Sequence, residues 1–268
     1  MDEELKNEID KMRWSYSRLS CFEHCKYAFY LRYVVDDDDA YLAEGNYYAE
    51  VGSFVHEILA MIFNGELTID DAPQYYADHF EEAVCYKVKQ STMDKTYEAC
   101  ADYFATVDFD WLKDYDILGV ELETRLEIEG YDFIGYIDLL LKHKKTGEIW
   151  LIDHKSAAYP LKKNGEVLAK SKESFESYKK QMYLYCHAVK EMFGDFPTQI
   201  TWNHFKEGKL ATIPFDKDEY DEAMKWFSET IHTIEKEKDF EATQDFFYCS
   251  TLCDFRNCCE YKKFKDGD

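Results

Sequence analysis

A chain of 268 residues, 46% hydrophobic and 17% aromatic, can bury a substantial core, and only 11 glycines and 4 prolines argue against long flexible linkers. A net charge of −23 and a pI near 4.7 argue against a general nucleic-acid binder, because phosphate contacts come from lysine and arginine. No run approaches the ~20 apolar residues of a membrane span, so the expectation is a compact, largely helical α/β protein.

The leading MDEELKNEIDKMR is charged and has no apolar core of signal-peptide length. Nine cysteines without such a signal fit a reducing compartment, where thiols bind metals rather than form disulfides, and a cytoplasmic location is expected. Ser15 or Ser17 can cap a helix over Arg18 to Val34, with Leu19, Phe22, Tyr27, Phe29, Tyr30 and Tyr33 at near-helical spacing. Cys21 and Cys25 lie one turn apart on it. Asp36–Asp39 is an acidic run that reads as a solvated loop. Glu50 to Phe63 is a strong helix with a large apolar face. His56 inside it reads first as a satisfied core histidine, and Gly52 one turn earlier leaves room for a close approach. From Pro73 to Trp111 two more helices rich in tyrosine and phenylalanine follow, with Cys85 and Cys100 as small buried hydrophobes.

At Ile117 the period becomes strand-like. Ile117–Ile128, Tyr131–Leu141 and Glu148–Lys155 form three strands of an antiparallel meander, turning at Glu129-Gly130 and Gly147. Lys162 to Lys172 is a polar, lysine-rich, mobile loop, and Ser174–Phe193 returns to helix. Gln199–Phe205 and Leu210–Phe215 make a hairpin around Glu207-Gly208, and Asp218–Lys238 is a last long helix before a cysteine-rich tail. There is no internal repeat, and no Walker-type phosphate loop that would drive a helicase motor.

The chemistry concentrates in Gly135 to Ala157, GYIDLLLKHKKTGEIWLIDHKSA, where Asp138, Asp153 and Lys155 interrupt two apolar strands. Ionised carboxylates among apolar neighbours are costly unless paired or metal-bound. Two carboxylates and a lysine on adjacent strands therefore suggest a divalent-metal site of hard oxygen ligands, Mg²⁺ or Mn²⁺. The main-chain carbonyl of His154 could add a ligand, since the side chains of 153 and 155 share a face. Lys155 would orient the attacking water or offset developing charge. Any DNA path would need a local basic strip, and Lys142, Lys144, Lys145, Lys162, Lys163, Lys170, Lys172, Lys179 and Lys180 do concentrate in mid-chain.

Gly135-x-x-Asp138 followed by Asp153-x-Lys155 resembles the PD-(D/E)XK nuclease signature, in its aspartate variant. Three further stretches resemble the RecB-like branch: Gly52-Ser-Phe-Val-His56, Gln181-Met-Tyr-Leu-Tyr185, and Tyr16 to Tyr30 with Cys25 ahead of an aromatic run. The resemblance implies a restriction-endonuclease-like core, a mixed central sheet flanked by helices. It implies one nuclease domain, with a helical part over 14–115, a core over 116–240 and a cysteine tail over 241–268. It assigns His56 to the metal shell, Asp138, Asp153 and Lys155 to catalysis, and Gln181 and Tyr185 to bracing the site or contacting DNA. An acidic residue ahead of the active strands is common in such proteins; Glu121 and Glu123 both qualify.

Four cysteines in eleven residues, Cys249, Cys253, Cys258 and Cys259, have the density of a soft-metal site. The resemblance extends to RecB-like nucleases with an iron–sulfur cluster, such as AddB subunits, CRISPR-adaptation nucleases, exonuclease V-type enzymes and phage relatives. It implies a [4Fe–4S] cluster on Cys25, Cys249, Cys253 and Cys259, with Cys258 as an alternative last ligand and structural zinc as an alternative centre. The function implied is a metal-dependent DNA nuclease, an exonuclease on single strands or DNA ends, in recombination or repair, phage replication or CRISPR adaptation. The rival readings are a non-catalytic interaction module and a subunit active only with a helicase, integrase or recombinase partner.

Overall fold

The computed structural model describes residues 9–35 and 46–261, so the Asp36–Asp39 run lies outside it. Two compact units emerge, one drawn from 1–46, 125–134 and 221–268, the other from 47–124 and 135–220. Among the described residues no helix is long and apolar enough to cross a membrane.

The first unit opens with α1 (Tyr16–His24), capped by the Ser15 hydroxyl, which accepts from the Arg18 amide at 3.3 Å. The single helix expected over Arg18 to Val34 is broken at Cys25, and α2 runs from Lys26 to Tyr33. Cys25 is extended (φ −158°, ψ 109°). Its amide closes the last turn of α1 on Cys21 O, and its sulfur accepts from the Ala28 amide at 3.4 Å. One residue thus satisfies both helix ends, which removes the penalty for stopping. Trp14 forms a parallel bridge with Phe133 and is almost fully buried.

The second unit places α3 (Tyr47–Phe63), α4 (Ala72–Ala83) and α5 (Gln90–Thr106) over one face of a five-stranded sheet. Cys100 is buried there as expected. Cys85 is exposed, because α4 ends at Ala83 and the chain leaves the core one residue later. The strands are β1 (Tyr115–Ile128), β2 (Tyr131–His143), β3 (Ile149–Lys155), β4 (Gln199–His204) and β5 (Lys209–Pro214), in that spatial order. Glu129 and Gly130, with φ of +50° and +85°, make the tight reversal between β1 and β2. β3 pairs antiparallel with β2 (Leu139↔Ile152) but parallel with β4 (Ile152↔Thr201). A parallel neighbour needs a crossover, supplied by α6 (Lys172–Phe193), which ends at left-handed Gly194. α6 buries Met182, Leu184, Tyr185, Cys186 and Val189. β5 returns antiparallel to β4, and α7 (Lys217–Lys236) follows. The stretch expected as a plain loop, Lys162 to Lys172, carries more order: Leu161 bridges Val167, and Ala169–Ser171 forms a 3₁₀ turn.

Candidate active site and metal centre

The β2–β3 ladder ends at Leu139↔Ile152, so Asp138 and Asp153 are the next residues on their strands. Both are buried, and the His154 amide donates to Asp138 Oδ2 at 2.6 Å. Lys155 Nζ lies 2.8 Å from Asp153 Oδ2, donates to Gln181 Oε1 at 2.9 Å, and sits 4.9 Å from the centre of the Tyr178 ring. Gln181 Nε2 in turn donates to the Tyr185 hydroxyl at 3.1 Å. Residues four apart on α6 share a face, and here that face aims the lysine.

His56, on α3, reaches the same point. Its Nε2 is 3.0 Å from the His154 carbonyl oxygen, which can only accept, so that nitrogen carries the hydrogen. Nδ1 is left facing Glu121 Oε1 and Asp138 Oδ2, each at 3.6 Å. The histidine is therefore held as part of a polar site. Asp153, Lys155, Gln181 and Tyr185 form one chain of contacts, and His56, Asp138 and the His154 main chain another.

Glu121 is the residue that sequence reasoning left undecided. It takes φ +45° within β1, a left-handed value uncommon for a non-glycine residue, and this kink turns its carboxylate toward His56. Glu123 instead accepts from the Tyr136 hydroxyl at 2.9 Å. The sequence carried one sign of the kink. A Cβ at Gly119 would come within 2.8 Å of the Leu122 side chain, so the approach to Glu121 requires glycine there.

Ligand atoms of His56, Glu121 and Asp138 all lie within 4.8 Å of one another, and imidazole with two carboxylates is a donor set that fits a divalent cation. Burial, then the nearby Asp153 carboxylate, raises the Asp138 carboxyl to about 7, against the pull of His56 and Lys155. Burial opposes the charge on His56, yet Glu121, Asp138 and Asp153 together raise it. For Lys155 burial is likewise outweighed by Asp153, which keeps the ammonium charged.

A pH signature follows. Asp138 ionises later in the folded than in the unfolded chain, so the stability it provides is complete at acid pH and is lost as pH rises toward 7. In EDTA, the melting temperature of wild type should fall between pH 5 and 8 relative to Asp138→Asn, whose amide can still accept from the His154 amide. Mn²⁺, which needs the carboxylate ionised and the imidazole neutral, should raise the wild-type melting temperature more at pH 8 than at pH 5. Parallel wild-type and Asp138→Asn curves in EDTA would refute the shift.

In the other unit, Cys25, Cys249, Cys253 and Cys259 line one small cavity of about 20 Å³, together with Ala28, Leu31 and Phe255. Cys25 Sγ also accepts from the Thr243 amide at 3.4 Å, and Cys249 donates to the Thr243 carbonyl at 3.6 Å. Burial, with Cys25, Cys259 and Cys249 close by, pushes the Cys253 thiol up to about 11. Cys258 is exposed and bonds to the Phe255 carbonyl.

A mixed sheet thus sets two acids and a lysine at the ends of adjacent strands, with a helix-borne histidine beside them. The family model of the PD-(D/E)XK nuclease superfamily matches residues 13–260, and the chain belongs to that superfamily. No curated protein matches it. A crystal structure from Eubacterium rectale described as a "Putative exonuclease" superposes with a TM-score of 0.53 at 15% identity, over 99% of this chain and 96% of that one. At this identity the likeness establishes the fold.

Proposed function

We propose that this nuclease hydrolyses phosphodiester bonds of DNA with Mg²⁺ or Mn²⁺ held by His56, Glu121 and Asp138, with Asp153 and the His154 carbonyl beside them. The observation that carries the reading is the convergence of His56 Nδ1, Glu121 and Asp138 next to the Asp153–Lys155 pair. A bound divalent ion would supply Lewis acidity toward the phosphodiester. Lys155, held by Asp153 and Gln181, places a fixed positive charge where negative charge develops. Tyr185 supports Gln181 from behind. With Nε2 engaged by the His154 carbonyl, Nδ1 is the His56 atom that would face a bound cation, once the imidazole has given up its second proton.

Within the superfamily, the reading is the iron–sulfur branch of the RecB-like nucleases: a single domain with exonuclease action on single strands or ends and a [4Fe–4S] cluster on Cys25, Cys249, Cys253 and Cys259. Support comes from those four thiols sharing one cavity, with Cys258 outside it. Zinc is the rival centre, and recombination, phage replication or CRISPR adaptation, with a helicase, integrase or recombinase partner, is the setting in which such an enzyme would act in the cytoplasm. Labelled single-stranded and duplex DNA incubated with Mn²⁺ or EDTA tests the activity. Laddered Mn²⁺-dependent shortening from one end is expected; intact DNA under every condition would leave a non-catalytic interaction module or a subunit active only with a partner, which adding candidate partners would separate.

A further inference from the structure

The site has an electrostatic problem that the catalytic residues do not solve. Glu121 and Asp138 face His56, Asp153 pairs with Lys155, Glu123 lies against Tyr136, and the chain as a whole has a net charge of −23. Mid-chain lysines that could guide a polyanion are partly engaged: Lys162 pairs with Glu166, and Lys179 with Glu176 and Glu219. At so acidic a site, contacts to the bases would add affinity that contacts to the phosphates do not.

Tyr136 offers it. This residue lies two positions before Asp138 on β2, so strand alternation puts both on one face, about 6.6 Å apart along the strand. Asp138 is buried, whereas Tyr136 is 48% exposed, among the large side chains most open to solvent. Its hydroxyl donates to Glu123 at 2.9 Å, which fixes the ring by its far end. A carboxylate beside the ring makes this a poor seat for a phosphate, but the face of a neutral base meets no such repulsion. A base inside a duplex has both faces covered by its neighbours, and only an unpaired base presents one freely.

We propose that Tyr136 stacks on an unpaired base of the substrate strand beside the scissile phosphodiester, so that selection of single strands rests on this ring. The inference depends on the DNA-cleaving reading above. Stacking of one base on an aromatic side chain is worth roughly a tenfold change in binding or more. Tyr136→Ala should therefore lower kcat/KM on single-stranded oligonucleotides about tenfold with Mn²⁺, at an unchanged melting temperature, and Tyr136→Phe should recover most of the loss.

Oligonucleotides carrying one abasic residue at successive positions supply the decisive arm. At one position near the cut, the abasic residue should slow the wild-type enzyme about tenfold and add nothing to the defect of Tyr136→Ala. Equal cleavage by Tyr136→Ala and wild type, or an additional loss at every abasic position, would overturn the proposal. So would a wild type that no abasic position slows, a result that needs no variant to fold. If wild type leaves all DNA intact, the parent reading falls with it. A wild type that cuts beside an unimpaired Tyr136→Ala removes the stacking role alone.

Discussion

Lys155→Ala and Asp153→Ala should each reduce Mn²⁺-dependent cleavage of labelled single-stranded DNA by at least about a hundred- to a thousand-fold, the range seen when one preorganised charge-stabilising donor is removed. Lys155 has little exposed surface and is held by Asp153 at 2.8 Å and Gln181 at 2.9 Å, so no mobile surface lysine can take its place. Stability will shift as well. Removing one partner of a buried ion pair leaves the other charge uncompensated, at a cost of about 3–5 kcal/mol. Rates must therefore be measured under single turnover, on variants whose circular dichroism shows a folded chain. The double variant Asp153→Asn, Lys155→Met separates the effects: it should regain part of the lost stability without regaining cleavage. A folded single variant that cuts as fast as wild type would remove that residue from the catalytic centre.

On the proposed iron–sulfur reading, Cys25→Ser should produce the second large effect, loss of bound iron and sulfide together with a marked fall in melting temperature. Cys25 ends α1, caps α2 through its sulfur, and accepts from the Thr243 amide, so a centre bound there ties the N-terminal helices to the tail. The two segments are separated by nearly the whole chain, and a bond that closes so long a loop restricts the unfolded ensemble strongly. Serine preserves the cap but is a poor ligand for soft metals, so the cap and the metal contributions can be read apart. Cys258→Ser and Cys85→Ser, at exposed positions, should retain iron. Iron and sulfide assays on protein purified without oxygen give the answer. A colourless protein with one zinc and no sulfide would replace the cluster by zinc, and iron retained in Cys25→Ser would remove Cys25 from the ligand set.

The outcomes for Cys85 and Cys100 show why local pattern does not settle burial. Both follow aromatic-rich helical sequence, yet Cys100 lies buried inside α5, with its thiol against Tyr76 of α4, and Cys85 lies just past the end of α4. Helix termination there depends on how α3 to α5 pack, which no window of residues contains. The parallel pairing of β3 with β4 has the same origin. Each strand is legible alone, but its neighbour is chosen by the path of α6 across the sheet.

By itself the sequence determined the strand pair bearing Asp138, Asp153 and Lys155, the helices carrying His56 and Gln181, and the thiol-rich tail. Those assignments rest on short-range facts: hydrophobic period, turn residues, and the cost of charge among apolar neighbours. Tertiary structure decided what depends on direction. It turned Glu121 rather than Glu123 toward His56 by a left-handed residue in a strand, and it used the His154 carbonyl to fix which imidazole nitrogen faces the carboxylates. It also broke the first helix at Cys25 and brought that thiol to the cavity lined by Cys249, Cys253 and Cys259. Residue type and spacing state which groups can do chemistry. Where a side chain points is set by backbone dihedrals and packing partners distant in sequence, and those exist only once the chain has folded.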